Sequence, residues 1–479
     1  MQPIKEINGT ASNSGRESLQ DVSDQQWNYL LDKYRGGVPR YTSYPSALYF
    51  SELEEADRAD LTEDLRANNH QPRDLSVYVH LPFCESLCWY CGCNNIISRN
   101  QELADEYLGY LAREIHLTSR YIHPRSRITQ LHFGGGTPTF LSAGNLELLI
   151  SRLQQHFSFA DDIEFSVEVD PRVISEDQVN VLAAGGCNRI SIGVQDTNEE
   201  TQKAVNRWQP LQLSRNTVDM ARKHGIDAIN IDLMYGLPHQ TPASISSTVD
   251  EIMELNPDRI SLFGYAHVPH FKPAQKLVAR SGLPDGMERL RLYLAVYHRL
   301  REYQLNPIGL DHFARSSDEL HQAVEHGSIH RNFQGYTIGN YDDLYAFGIS
   351  GISRIGNWYV QNQKNLNYYY KNIDAGTTPV IKGYKLTDDD LIRGTVITTL
   401  MCHMKIDFAD LSRIHNIDAQ SYFNEELSMI KELEKDSLIE SHHDRILITE
   451  KGRLFLRNIV STFDSYYQNQ EQHRYSQSV

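Results

Sequence analysis

The sequence predicts an α/β barrel, whole or partial, followed by a smaller helical region. Short apolar runs rich in β-branched residues alternate with helical patterns six or more times, which implies parallel strands joined by right-handed crossovers. Glycines and polar residues stand just after these runs, where α/β barrels gather their chemistry. The alternation fades after about residue 342, and helical patterns dominate from about 386 onward.

Residues 1–35 form a polar, flexible tail in this reading, with local helix near Trp27 to Tyr34. A lid segment is expected over 36–75. Its Pro39-Arg40-Tyr41-Thr42-Ser43-Tyr44-Pro45 stretch favours extended, turn-rich backbone, and 52–73 reads as a surface helix. The barrel with its extension is assigned to 76–375. Strands are expected at 76–83, 130–133, 163–169, 189–194, 228–233 and 259–263, with another possible at 307–310. Helices fit 104–121, 143–156, 176–184, 212–224, 242–255 and 285–303. A C-terminal domain, 376–479, is expected to be mainly helical and winged-helix-like, with helices at 407–414, 421–435 and 450–463 and a strand at 446–448.

The chain has 479 residues, 46 basic and 62 acidic, a formal charge of −16, and 40% apolar residues. This composition fits a globular enzyme and excludes collagen, a low-complexity polymer and a disulfide-stapled mini-protein. The acidic balance argues against broad nucleic-acid binding. No run of about 18 apolar residues exists, so no transmembrane helix is expected. The N-terminus lacks a secretory h-region, so a cytoplasmic location is expected.

Four of the six cysteines fall in one loop, as Cys84-x-x-x-Cys88-x-x-Cys91-x-Cys93. Without a sign of export, a disulfide framework is a poor reading. Thiolates suit zinc or iron–sulfur centres. Zinc commonly takes two separated ligand pairs, whereas three cysteines in one tight loop suit a cubane whose fourth iron finds its ligand elsewhere. A zinc knuckle and buried reduced thiols are the blander alternatives. Rim candidates are Gly134-Gly135-Gly136-Thr137 after the second strand, Glu168 and Asp170 at the third, Gln195 and Asp196 at the fourth, Asp232 at the fifth and Tyr265-Ala266-His267 after the sixth. Each alone reads as a cap or loop residue; their agreement on one rim weakens that reading. Cys187 and Cys402 are expected to be inert buried thiols.

Cys84-x-x-x-Cys88-x-Tyr90-Cys91 after a strand resembles the radical S-adenosylmethionine superfamily. The stretches 78–84, 134–139 and 188–195 narrow the resemblance to the oxygen-independent coproporphyrinogen III oxidase group, whose relatives include haem chaperones. Cys93, 40–45 and 330–336 resemble the dehydrogenases over the chaperones. The match extends from about Arg40 through 449–454.

The resemblance implies a partial, three-quarter barrel of the radical S-adenosylmethionine type. It implies one [4Fe–4S] cluster on Cys84, Cys88 and Cys91, with S-adenosylmethionine chelating the unique iron and yielding a 5′-deoxyadenosyl radical. The substrate becomes coproporphyrinogen III, two of whose propionates are oxidised to vinyl groups with loss of carbon dioxide, giving protoporphyrinogen IX. Tyr78, Tyr90, Gly135, Gly136 and Glu168 fall to the first S-adenosylmethionine. Gly136, Thr137, Gln195, Arg207, Asp232, Ala266 and Ile352 fall to a second. Cys93 is a candidate catalytic residue. Arg40, His312, Arg315, His330 and Arg331 are candidate cations for the substrate's propionates. A flavodoxin- or ferredoxin-like low-potential donor and an unidentified acceptor are implied; no nucleic acid and no membrane partner is expected, and a monomer is. The rival is a haem-binding chaperone on the same fold.

Overall fold

The computed structural model describes residues 19, 22–339 and 343–467. Most of the expected N-terminal tail therefore lies outside the described residues. Within it, Asp24–Lys33 is helical, opened by a Ser23–Gln26 capping box, and buries Trp27 and Leu30.

Six strands carry the barrel: β1 (Asp74–Leu81), β2 (Arg127–Gly135), β3 (Ser158–Val169), β4 (Arg189–Gln195), β5 (Ala228–Tyr235) and β6 (Arg259–Gly264). They lie side by side in sequence order, all parallel. Helices Gln101–Ser119, Ala143–His156, Glu176–Ala184, Leu211–Lys223 and Pro242–Met253 connect them. Gly286–Glu302 follows β6.

Each strand alternates in character. Val77, Val79, Leu131, Phe133, Phe165, Val167, Ile190, Ile192, Ile229 and Ile231 are fully or almost fully buried and belong to the main core. The intervening positions are polar and bond to one another. Ser76 Oγ donates to Gln130 Oε1 (2.6 Å), His132 Nδ1 meets Ser166 Oγ (2.7 Å), Asn230 Nδ2 donates to Ser191 Oγ (2.7 Å), and Ser261 Oγ donates to Asn230 Oδ1 (3.2 Å). A period of two in parallel strands, which are usually apolar on both faces, gives this barrel a polar inner face.

The sheet is open. Beside β1, Asp343–Phe347 runs parallel, and Ile352–Ile355, Trp358–Asn362, Val380–Lys385 and Ser51–Glu52 follow antiparallel. Beyond β6 lies the hairpin His312–Arg315 and Leu305–Ile308, also antiparallel. The expected strand at 307–310 is thus the first arm of a hairpin (Leu305–Ile308), with Leu310 in its turn. The α/β class and the incomplete barrel hold.

After the barrel come the helices Asp388–His403, Phe408–His415, Asn424–Lys435, Glu450–Leu454 and Leu456–Ser461, with a three-stranded sheet of Lys405–Asp407, Arg445–Ile448 and Ile439–Ser441. The last helix fastens the segment near Arg40. Arg457 donates to the carbonyls of Pro39 (3.1 Å) and Val38, Tyr41 OH donates to Asp464 (3.0 Å), Tyr44 OH pairs with Ser465 Oγ (3.0 Å), and Tyr49 OH donates to the Tyr466 carbonyl (3.0 Å). No helix among the described residues is long and apolar enough to cross a membrane.

Candidate active site

The cysteine loop leaves β1 through Phe83–Cys84, a short strand paired in parallel with Ile96–Ile97. It crosses to the far strand ends: the Trp89 N–H donates to the Val205 carbonyl (3.0 Å), and Gln275 Nε2 donates to the Tyr90 carbonyl (3.0 Å). Trp89 and Tyr90 pack on Val205, Leu237, Tyr265 and Val278, which follow β4, β5 and β6. The loop is therefore anchored at both sides of the rim.

Donors surround its sulfurs. Arg207 Nη1 lies 3.4 Å and Arg172 Nη2 3.7 Å from Cys88 Sγ. The Cys93 N–H (3.4 Å) and Asn95 Nδ2 (3.5 Å) reach Cys91 Sγ. Hydrogen bonding from Cys93 outweighs burial and draws the Cys91 thiol down to about 6, while burial pushes Cys84 up to about 12. All six cysteines are free, with Cys88 buried and Cys93 exposed. Cys187 and Cys402 are buried, and burial pushes each up to about 12.

These features fit an iron–sulfur cluster. N–H donors to the sulfurs are a standard means of tuning such centres. Among the described residues, no three His, Cys, Asp or Glu side chains converge as ligands of a single ion. A cubane takes each thiolate on a different iron.

The glycine run lies against this loop. A Cβ on Gly136 would stand 2.5 Å from the Pro82 carbonyl oxygen and 2.6 Å from that of Phe83; one on Gly134 would stand 2.8 Å from Glu168 Oε1. Gly135 has φ +117. The Gly136 N–H donates to the Leu81 carbonyl and the Thr137 N–H to the Phe83 carbonyl, both at 2.8 Å. Glu168 Oε2 accepts from the Gly135 N–H (3.2 Å), and Oε1 lies 3.4 Å from His132 Nε2. Burial raises the Glu168 carboxyl, but His132 and the Gly135 N–H outweigh it and hold the group below its ordinary range. Tyr78 stacks on His132 (5.8 Å, 16°) and bonds through its hydroxyl to His80 Nδ1 (3.0 Å).

Further round, Gln195 sits at an irregularity in the β4–β5 pairing with φ 70, a strained value for a side-chain-bearing residue. Its Oε1 is buried without a partner, as is Arg207 Nε. Arg207, only 7% exposed, donates to the Gly193 carbonyl (2.6 Å) and lies 3.6 Å from Asp170. It is not a solvated arginine on a helix face. Asp232 accepts from Ser191 (3.2 Å) and Asn230 (2.8 Å); burial, then the Glu168 charge, raises it to about 6. Ala266 lines a cavity at the ends of β5 and β6. Ile352 starts a strand on the other wing of the sheet, packed against Phe50, Tyr359 and Leu386.

The cation candidates divide. Arg40 lines the cavity beside Ala266. Arg331 lies over Tyr336 (4.5 Å) and 4.0 Å from Asp311, which also bonds His312 (2.7 Å). His330 sits in the hairpin His330–Asn332 and Gly335–Thr337. Arg315 does not reach the rim: it donates to the Pro257 carbonyl and to Asn256 Oδ1, both at 2.8 Å, at the amino end of β6. Sequence reasoning missed Arg172, which pairs with Asp170 at 2.6 Å beside Cys88, and Asn95. A lone arginine or asparagine gives no pattern.

Residues 78–252 match the radical SAM superfamily and 386–455 the HemN C-terminal domain. The chain is 40% identical over 455 residues to an oxygen-independent coproporphyrinogen III oxidase of Synechocystis, covering 94% of this chain and 97% of the relative. It is 43% identical over 446 residues to one of Escherichia coli, covering 93% and 96%. The solved Escherichia coli coproporphyrinogen III oxidase, described as a radical SAM enzyme, superposes with a TM-score of 0.86 at 42% identity, covering 92% of this chain and 99% of that one. With this fold, this rim and these relatives, the chain belongs to the oxygen-independent coproporphyrinogen III oxidases, enzymes of the radical SAM superfamily.

Proposed function

We propose that this enzyme oxidatively decarboxylates two propionates of coproporphyrinogen III to vinyl groups without oxygen, giving protoporphyrinogen IX in porphyrin and haem biosynthesis. One observation carries the reading: a four-cysteine loop, surrounded by N–H donors, laid across a polar barrel mouth. When bound, a [4Fe–4S] cluster and S-adenosylmethionine supply the one-electron chemistry and the carbon-centred oxidant that removes a propionate hydrogen.

The chain's own residues bind, orient and shield. Cys84, Cys88 and Cys91 are the cluster ligands. Arg172, Arg207 and Asn95 donate toward the ligand sulfurs. Glu168, held ionised, accepts the α-ammonium of S-adenosylmethionine. Gly135 and Gly136 let that molecule approach the backbone, and Tyr78 and Tyr90 give its adenosine aromatic surface. A second S-adenosylmethionine is assigned to Gly136, Thr137, Gln195, Arg207, Asp232, Ala266 and Ile352; the unmet Gln195 Oε1 and Arg207 Nε support it. Cys93, exposed on the loop, is assigned to catalysis beside the substrate. Residues 36–75 act as a lid that excludes water, 76–375 as the catalytic unit and 376–479 as its helical companion. A flavodoxin- or ferredoxin-like protein delivers the electron to a monomeric, cytoplasmic enzyme.

Anaerobic incubation of the reconstituted enzyme with reductant, S-adenosylmethionine and coproporphyrinogen III tests the reading. Two vinyl groups and two carbon dioxide molecules are expected per porphyrinogen. Tight haem binding without any vinyl product would instead favour a haem chaperone, for which nothing in the described structure speaks specifically.

A further inference from the structure

A cavity of about 370 Å³ opens at the carboxyl ends of β5 and β6, with Tyr235 and Tyr293 in its walls and Arg40, Arg289, Arg453 and Arg457 around it. The arginines come from three distant stretches: the segment after Val38, the helix Gly286–Glu302, and the last two helices. Among the described residues, Arg40, Arg289 and Arg453 make no ion pair with a carboxylate. Arg289 Nη1 donates to the Tyr265 carbonyl (3.0 Å), its Nε is buried without a partner, and its guanidinium lies 5.6 Å over the Tyr235 ring. Arg453 Nη1 donates to the Gly309 carbonyl (2.7 Å). Arg40 lies 6.0 Å over Phe263. The cavity's carboxylate, Asp311, bonds His312.

Four guanidiniums gathered around one carboxylate, Asp311, leave positive charge in excess, and an anion bearing more than one carboxylate offsets it. The guanidinium fork matches a carboxylate, and the tyrosine faces suit a flat apolar ring. The volume suits one edge of a macrocycle. We propose that Arg40, Arg289 and Arg453 form a cradle for propionate carboxylates of the substrate, with Arg457 a positioning residue that fixes Arg40 through the carbonyls just before it. This rests on the function proposed above. Ion pairing stabilises a carboxylate against departure as carbon dioxide, so the cradle holds propionates that survive the reaction. The segment near Arg40 and the C-terminal helices therefore contribute directly to substrate recognition.

Coproporphyrin III, a non-reacting fluorescent tetracarboxylate, is titrated into the anaerobically reconstituted full-length enzyme, beside its tetramethyl ester and S-adenosylmethionine. Arg40→Gln and Arg453→Gln are each expected to weaken coproporphyrin III binding about tenfold, with Arg40→Lys losing less, while affinities for the ester and for S-adenosylmethionine stay at wild-type values. Unchanged coproporphyrin III binding would overturn the cradle, as would an equal loss for the ester. Loss confined to S-adenosylmethionine would assign these cations to its methionine carboxylate and overturn the substrate assignment. A wild-type enzyme that binds coproporphyrin III through these arginines but forms no vinyl product would refute the function and leave the cradle standing.

Discussion

Gly136→Ala is the sharpest test of how the glycine run supports the cysteine loop. The added methyl carbon would stand 2.5 Å from the Pro82 carbonyl oxygen and 2.6 Å from that of Phe83, where ordinary contact begins near 3.4 Å. The overlap is therefore roughly 0.9 Å against two consecutive carbonyls, and backbone cannot rotate away as a long side chain can. Those carbonyls lie directly before Cys84, and hydrogen bonds from Gly136 to Leu81 and from Thr137 to Phe83 hold the two segments together. Relief requires one segment to move. Overpacking of this kind costs roughly 1–3 kcal/mol, and the upper end is expected here. Urea unfolding would show the loss as a lower midpoint at an unchanged slope. Iron analysis after anaerobic reconstitution should show less cluster per chain, and titration should show weaker S-adenosylmethionine binding. Wild-type stability together with wild-type iron content would refute the reasoning, because the backbone contact would then be slack.

Cys84→Ser, Cys88→Ser or Cys91→Ser should each abolish cluster assembly and vinyl formation, whereas Cys93→Ser should keep the brown colour and iron of the wild type; a colourless Cys93 variant would make it a ligand. Glu168→Gln should weaken S-adenosylmethionine binding at least tenfold by calorimetry without unfolding the chain, and unchanged affinity would remove Glu168 from the ammonium site. Asp232 has an ordinary carboxyl range near 3.8 when unfolded and about 6 when folded. The folded state binds the extra proton, so this group's contribution to stability falls as pH rises from about 4 through 6. Asp232→Asn should accordingly be more stable than wild type at pH 7.5 by on the order of 3 kcal/mol, with the gain gone near pH 4. A gain that persists at pH 4 would place its origin elsewhere.

The six barrel strands were legible because each combines an apolar run with glycine or a polar turn, and only their ends moved: 130–133 became Arg127–Gly135. The strands Asp343–Phe347 to Val380–Lys385 left no such trace. They are short, and the first pairs with β1 some 270 positions earlier, as in Asp343 opposite Leu75; no local pattern encodes that partner. The cysteine loop was readable because four thiols within ten positions form a pattern on their own. Arg315 shows the opposite case. Its strand runs antiparallel to β6, so its C-terminal end points to the rim opposite the cysteine loop, and strand direction is a tertiary property. Arg289 and Arg453 carry no local signature for the same reason: helices from two distant stretches of the chain bring them to one cavity.

The link between Tyr41 and Asp464 spans 423 positions of the chain. A ribosome makes the cysteine loop and all six barrel strands long before it makes the partners that fasten the segment around Arg40. At roughly 5–20 residues per second, the 200 or so residues between β6 and that anchor take about 10–40 seconds to appear. During this interval the segment around Arg40 lacks the partners that fasten it, so its place beside the barrel is set only when the last residues of the chain arrive.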